Sequence, residues 1–150
     1  MKIRKATGKD LKESIKIAKE LKEWFTKEAI KNMQIDFETN NLIVAIDKNK
    51  VVGFLCYNSY EGFIQLVWMG IKRGCQNKGV GTALLNWLVK FSRGIGAKEI
   101  EAETLPATYK YEPYNQTRAF YKKHGFKELY IKPPKRKGWD KQVVMAKRMR

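Results

Sequence analysis

The stretch with the clearest chemical meaning is Met69-Gly70-Ile71-Lys72-Arg73-Gly74-Cys75-Gln76-Asn77-Lys78-Gly79-Val80-Gly81-Thr82-Ala83-Leu84-Leu85, a β-rich run that passes through a polar, glycine-punctuated loop into an amphipathic helix. Such a junction suits a phosphate or diphosphate. The first turn of a helix leaves amide hydrogens unpaired and carries partial positive charge, and Gly79 and Gly81 lack the Cβ that would hold an anion away. Lys78 and Arg73 add positive charge nearby. Two familiar phosphate loops do not fit. A dinucleotide fingerprint needs a third glycine where Leu84 stands, and a P-loop needs Gly-Lys-Ser/Thr where Gly79 is followed by Val80.

Other chemistry-bearing residues are sparse. Cys56 and Cys75 make no disulfide framework, and with His124 as the single histidine no zinc-ligand set can be built, so no metal is expected. Both thiols read as free, in a reducing compartment, with Cys75 a neutral side chain beside the glycine loop. His124 reads as a helix C-terminal residue that contacts the last carbonyls and is assigned no chemistry. Glu99, Glu101 and Glu103 alternate along a strand-like run and so share one face.

Around these residues the hydrophobic pattern predicts one mixed α/β sheet. Ile3–Thr7 opens as a strand; Asp10 is the expected cap of a first helix with its apolar stripe on Leu11, Ile15, Ala18, Leu21 and Phe25. Thr26 to Asn41 holds a second short helix around Ala29, Ile30 and Met33. Leu42–Ile46 and Val51–Tyr57 read as an antiparallel pair, and Phe63–Ile71 as a third strand. A helix from Val80 ends at Gly94 and Gly96; Lys98–Leu105 is a strand, Asn115–His124 a helix, and Phe126–Ile131 and Gln142–Met149 the closing strands. Antiparallel strands thus come first and a strand–helix–strand crossover later.

The composition supplies a core: 43% of residues are hydrophobic and 12% aromatic, which excludes a disordered or fibrous chain and fits a single domain over residues 1–150. Thirty-one basic side chains against 15 acidic ones give a net charge of +16, a balance that points to a polyanionic partner or a phosphorylated cofactor without choosing between them. Eight basic residues and one acid lie from Lys132 onward, so the charge is concentrated there but not confined to it. No apolar segment of leader length follows the basic start, and the longest aliphatic run, Leu42 to Ile46, falls far short of a membrane span. A cytoplasmic protein with no membrane partner is expected.

Gln76, Gly79 and Gly81, in their strand-to-helix setting, resemble the Gln/Arg-x-x-Gly-x-Gly/Ala signature of the GCN5-related N-acetyltransferase (GNAT) superfamily. The run from Tyr114-Asn115 through Ala119-Phe120-Tyr121 to Gly125-Phe126 is similar to that family's Asn-x-x-Ala-x-x-Phe-Tyr-x-x-x-Gly-Phe helix. The Ile3–Thr7 opening, Val51-Val52-Gly53-Phe54 and the element order support the likeness over essentially the whole chain. It implies a fold of about seven strands with helices on both faces, in which Phe63–Ile71 and Lys98–Leu105 run parallel and splay apart. Acetyl-CoA would lie in that gap, its pantetheine arm along Met69, Gly70 and Ile71 and its diphosphate on Gln76, Asn77, Lys78, Gly79, Val80, Gly81 and Thr82. The Met69 amide would stabilise the oxyanion, and Asn115 would contact the pantetheine arm or the helix start.

By the same resemblance Tyr121 is the general acid toward the leaving thiolate, and Glu103 the candidate base, with Glu61 a lesser rival. Trp24, Phe25, Met33 and Phe37 are candidates for the acceptor pocket. The implied reaction is acetyl transfer to a primary amine, on a small molecule, a protein N-terminus or a lysine, by direct attack in a ternary complex. A homodimer through the exposed last strand is common in such folds. Three departures bear on the acceptor: Cys75 where an aromatic is frequent, Arg73 where proline is usual, and a long connection from Leu105 to Tyr114. A second reading keeps the scaffold but makes the chain a nucleic-acid-binding protein that uses the basic C-terminal region.

Overall fold

A computed structural model describes residues 1–150. The elements are β1 (Lys2–Lys5), α1 (Gly8–Glu20), α2 (Lys27–Thr39), β2 (Asn41–Asp47), β3 (Lys50–Tyr60), β4 (Phe63–Ile71), α3 (Val80–Gly94), β5 (Glu99–Thr104), α4 (Glu112–Lys123), β6 (Lys127–Lys132) and β7 (Gln142–Arg148). They form one seven-stranded sheet in the order β1-β2-β3-β4-β5-β7-β6. Every neighbouring pair is antiparallel except β4 and β5, which are parallel and joined through α3. No helix is long and apolar enough to cross a membrane.

Local chemistry sets most boundaries. β2 and β3 close through a two-residue turn in which Lys48 and Asn49 both take positive φ, 50° and 63°, the handedness that matches the twist of the strands. α1 starts earlier than expected. Thr7 is its N-cap, and Asp10 lies inside the first turn, where its carboxylate accepts from the Thr7 amide at 2.8 Å and pairs with Arg4 at 2.5 Å. Phe25 falls outside the helix, in the α1–α2 loop. α4 also starts earlier, at Glu112, because Pro113 in the first turn has no amide hydrogen to lose.

Two cores flank the sheet. On one face α3 buries Leu84, Leu85 and Leu88 against Ile43, Leu55, Ile100 and Met145. On the other, Ala18 of α1, its C-cap residue Leu21, and Met33 and Phe37 of α2 are buried against Val44 and Phe54. Successive residues of β2 and β3 feed opposite cores, which explains why both strands are apolar without interruption.

The parallel pair is short. Its register runs from Phe63 opposite Glu99 to Leu66 opposite Ala102 and then stops. The cause lies in β4: Leu66 faces Tyr57 and Trp68 faces Cys56, so Val67 is an extra residue, a bulge that bends the strand away from β5.

Candidate active site

The bulge leaves the end of β4 with one edge unpaired, and strand geometry says which groups face the opening. The Lys72 amide donates to the Val52 carbonyl at 2.8 Å, and the pairing continues with Gly70 opposite Phe54 and Trp68 opposite Cys56. In an antiparallel strand the amide and carbonyl of one residue point the same way and alternate residues point oppositely. Gly70 therefore spends its backbone on β3, whereas Met69 and Ile71 turn theirs toward β5, where no partner strand remains. The Ile71 carbonyl is met by the Gln76 side chain, whose amide donates to it at 3.3 Å. The edge that stays open comprises the Met69 amide and carbonyl and the Ile71 amide. Gly70 acts differently from expectation: a Cβ there would lie 2.6 Å from the Phe54 ring, so the glycine is required by packing.

The bend after β4 delivers the second half of the site. Gly79 caps α3 at φ +83°, a left-handed conformation that favours glycine. The first helical hydrogen bond of α3 runs from the Ala83 amide to the Gly79 carbonyl at 3.0 Å, which leaves the amides of Val80, Gly81 and Thr82 without helical partners. A Cβ at Gly81 would come within 3.3 Å of Phe120, so this position lets α3 and α4 approach closely. Together the open edge and the bend line a cleft of about 1070 Å³ that includes Met69, Gly70, Ile71, Gln76, Asn77 and Gly79–Thr82. Lys78 is exposed and does not line it.

Tyr121 and Glu103 reach this cleft from opposite faces of the sheet. Tyr121, 5% exposed, packs with the α3-side core and against Phe126, and burial drives its phenol well above the ordinary tyrosine range. Glu103 alternates with Ala102 and Thr104, which are buried, and it stands exposed with Lys132 of β6 at 3.5 Å. Thr104 also lines the cleft, and its hydroxyl is buried without a partner. An opening between two splayed strands with a phenol on one side and a carboxylate on the other can hold an activated acyl group and move protons at both ends of an attack.

Several expected residues are elsewhere. Asn115 is exposed and outside the cleft; its amide donates to Glu112 at 3.3 Å and its oxygen accepts from Arg118. Glu61 sits at the β3–β4 turn, at the end where β4 and β5 remain paired, which removes it as a base for this cleft. Met33 and Phe37 are core residues between α2 and the sheet, while Trp24 and Phe25 line the cleft. Cys75 packs against the α3-side core. Arg73 lends the bend no free charge: it grips Glu23 through both nitrogens, at 2.6 and 2.9 Å, and donates to the Glu20 carbonyl. That contact holds the Glu23 carboxyl down at about 2.

The way the α1–α2 loop is held depends on partners far from it in the chain. Arg73 fastens it from the β4 side, and the segment from Tyr111 into the first turn of α4 fastens it from the other. The Tyr111 hydroxyl donates to the Glu23 carbonyl at 2.8 Å, the Tyr114 hydroxyl to the Trp24 carbonyl at 3.0 Å, and the Trp24 indole to the Pro113 carbonyl at 3.2 Å. Arg118, nearly fully buried, donates to the Leu105 carbonyl and anchors the start of the same connection. The tyrosines between Leu105 and Tyr114 were the available signal: phenols in a loop often carry a polar tip to a distant carbonyl.

Solved structures with this architecture were found in large number. A GNAT-family protein from Desulfovibrio desulfuricans is 21% identical over 99% of both chains with a TM-score of 0.86. The ribosomal-protein-S18-alanine N-acetyltransferase of Escherichia coli is 18% identical over 99% of this chain and 93% of its own, with a TM-score of 0.79. An aminoglycoside 6′-N-acetyltransferase in complex with coenzyme A is 19% identical over 99% of this chain and 97% of its own, with a TM-score of 0.76. Comparison with curated protein sequences found no match. The structural likenesses speak for the fold; the sequence speaks for the family, since the family model described as an acetyltransferase (GNAT) domain matches residues 38–128. With the glycine bend before α3 and the bulged strand both inside that span, the chain belongs to the GNAT family of acetyltransferases.

Proposed function

We propose that this enzyme transfers the acetyl group of acetyl-CoA to a primary amine by direct attack. The observation that carries the reading is the alignment of two sets of unpaired amides: Met69 and Ile71 along the open edge of β4, and Val80 to Thr82 at the start of α3. The first set pairs with the amides of a pantetheine arm as an added strand would, and the second receives a diphosphate. Lys123, Lys132 and Lys135 line the same cleft and favour an anionic donor.

Acetyl-CoA brings a thioester, whose carbonyl oxygen becomes an oxyanion when attacked. The Met69 amide donates to that oxygen. Glu103, on the α1–α2 face, takes the proton that the ammonium must lose and passes it to solvent, and the amine nitrogen bonds to the carbonyl carbon. As the carbon–sulfur bond breaks, Tyr121, on the α3 face, protonates the departing thiolate, and the second proton shed by the nitrogen restores the phenol through solvent. Trp24, Phe25 and Trp68 form an apolar wall on the acceptor side. Two unpaired thiols, Cys56 and Cys75, suit a reducing cytoplasm.

Thiol release from acetyl-CoA, measured against peptides with free α-amines, lysine peptides, aminoglycosides and polyamines, tests the reading. The structural neighbours named for a ribosomal-protein alanine and for an aminoglycoside justify including both kinds of acceptor. Saturation at a hundredfold excess over Kd adds about 2.7 kcal/mol of stability, so acetyl-CoA should also raise the melting temperature by several degrees. No thiol release with any acceptor and no thermal shift would refute it.

A further inference from the structure

His124 was assigned no chemistry from the sequence, yet it forms the polar contact between the two helices that build the donor site. Its Nε2 lies 3.0 Å from the Thr82 hydroxyl in the first turn of α3, and its Nδ1 lies 2.8 Å from the Phe120 carbonyl on α4. A carbonyl only accepts, so Nδ1 carries a hydrogen. In the neutral ring Nε2 then accepts from Thr82; in the cationic ring it donates to the same hydroxyl, which can play either part. The contact therefore persists in both protonation states. The ring also packs on Phe120 with centroids 4.4 Å apart, and both Thr82 and His124 line the cleft.

We propose that His124 is a positioning residue for the donor: through Thr82 it pins the first turn of α3 to the C-terminal end of α4. The Val80–Thr82 amides belong to α3, and Tyr121 belongs to α4. Apolar packing of Phe120 on Gly81 and of Tyr121 into the α3-side core brings the two helices together, and the His124–Thr82 bond adds the directional polar contact that sets the spacing between these two groups. A ligand held at its diphosphate while its sulfur meets Tyr121 feels that spacing at both ends, and small misplacements are costly in such a geometry. A ligand without the diphosphate feels one end only. The inference rests on the reading of the cleft as an acetyl-CoA site.

The test compares CoA, titrated by calorimetry, with S-acetylpantetheine, which keeps the thioester arm without the diphosphate and is titrated by NMR. His124→Ala and Thr82→Val should each weaken CoA about fivefold, the worth of one neutral hydrogen bond, and leave S-acetylpantetheine unchanged. The double variant should be no weaker than either single one. His124→Gln, whose amide oxygen accepts from Thr82, should recover most of the affinity, whereas His124→Asn, placed to reach only the Phe120 carbonyl, should not. Thr82→Val preserves side-chain size and answers the question even if His124→Ala folds poorly. Equal losses for the two ligands, additive losses in the double variant, or unchanged CoA affinity in folded variants would overturn the proposal. If the wild-type protein bound no CoA, the reading of the cleft would fall and take this inference with it; normal wild-type binding with unaffected variants would sink the inference alone.

Discussion

Replacing Tyr121 by phenylalanine separates structure from chemistry at the one position where the two are most easily confused. The phenol is buried against Phe126 and Phe120, and burial alone raises its pKa, with no hydrogen bond or charge contributing. Removing the hydroxyl therefore strands no partner and opens only a small gap. The stability of the folded protein at neutral pH should change by less than about 1 kcal/mol. CoA affinity should stay within about twofold of wild type, because the amides of Met69, Ile71 and Val80–Thr82 are untouched. Turnover should fall. A thiol leaves with an ordinary pKa of about 8.5, so the thiolate is a moderate leaving group and the acid contributes at the lower end of the usual range, about 100-fold, or ~2.7 kcal/mol of barrier.

Tyr121 also predicts an alkaline signature. Its folded-state pKa lies above the unfolded value near 10, so its contribution to stability is intact below pH 10 and is lost as the pH rises further, when the unfolded chain can release a proton that the folded one retains. The phenylalanine variant should lack that share of the alkaline slope. Denaturant melts between pH 7 and 11 and thiol-release kinetics on the same preparations give both readouts. Wild-type turnover by Tyr121→Phe across the pH range would refute the assignment of the acid.

Three further outcomes follow from the geometry. Glu103→Gln should lower kcat about tenfold or more and leave CoA affinity unchanged, since the carboxylate is on the acceptor side, beside Lys132; an unaltered kcat would send the proton to another acceptor. Gly70→Ala would put a methyl 2.6 Å from the Phe54 ring and should cost roughly 1–3 kcal/mol in a chemical melt. Cys56 has no exposed surface, and burial, with a smaller contribution from Asp36, pushes its thiol up to about 12, so maleimide should label it only after denaturation; rapid labelling of the folded protein would contradict its burial.

Much of this was legible because local chemistry and tertiary structure agree. The Phe63–Ile71 strand and the Val80–Gly94 helix match their expected ends, since a strand closed by a polar loop and a helix opened by Gly79 and closed by Gly94 leave the chain few alternatives. The mixed sheet with its parallel pair followed from the resemblance and from the crossover. What escaped notice depended on contacts between residues far apart in sequence. Nothing local distinguishes Val67 as a bulge, yet the bulge is what opens β4 and decides that Met69 and Ile71, rather than Gly70, turn their backbone groups to the unpaired edge. Arg73 reads in the sequence as positive charge beside the glycine loop, but its partner, Glu23, is fifty residues away. Asn115 has the right residue type, but within one helical turn it bonds to Glu112 and Arg118 and stays outside the cleft. His124 contacts a last-turn carbonyl as expected, and Thr82 as not expected, because helix periodicity fixes the first contact and only packing fixes the second.

Amide hydrogen exchange, followed residue by residue along β4 with and without acetyl-CoA, bears most directly on the claim that a bulged strand offers its free edge to the donor. Gly70, bonded to β3, should exchange slowly in both states; Met69 and Ile71 should exchange fast in the free protein and become protected on binding, together with Val80, Gly81 and Thr82. Binding that left Met69 and Ile71 exchanging as freely as before would mean that the donor lies elsewhere.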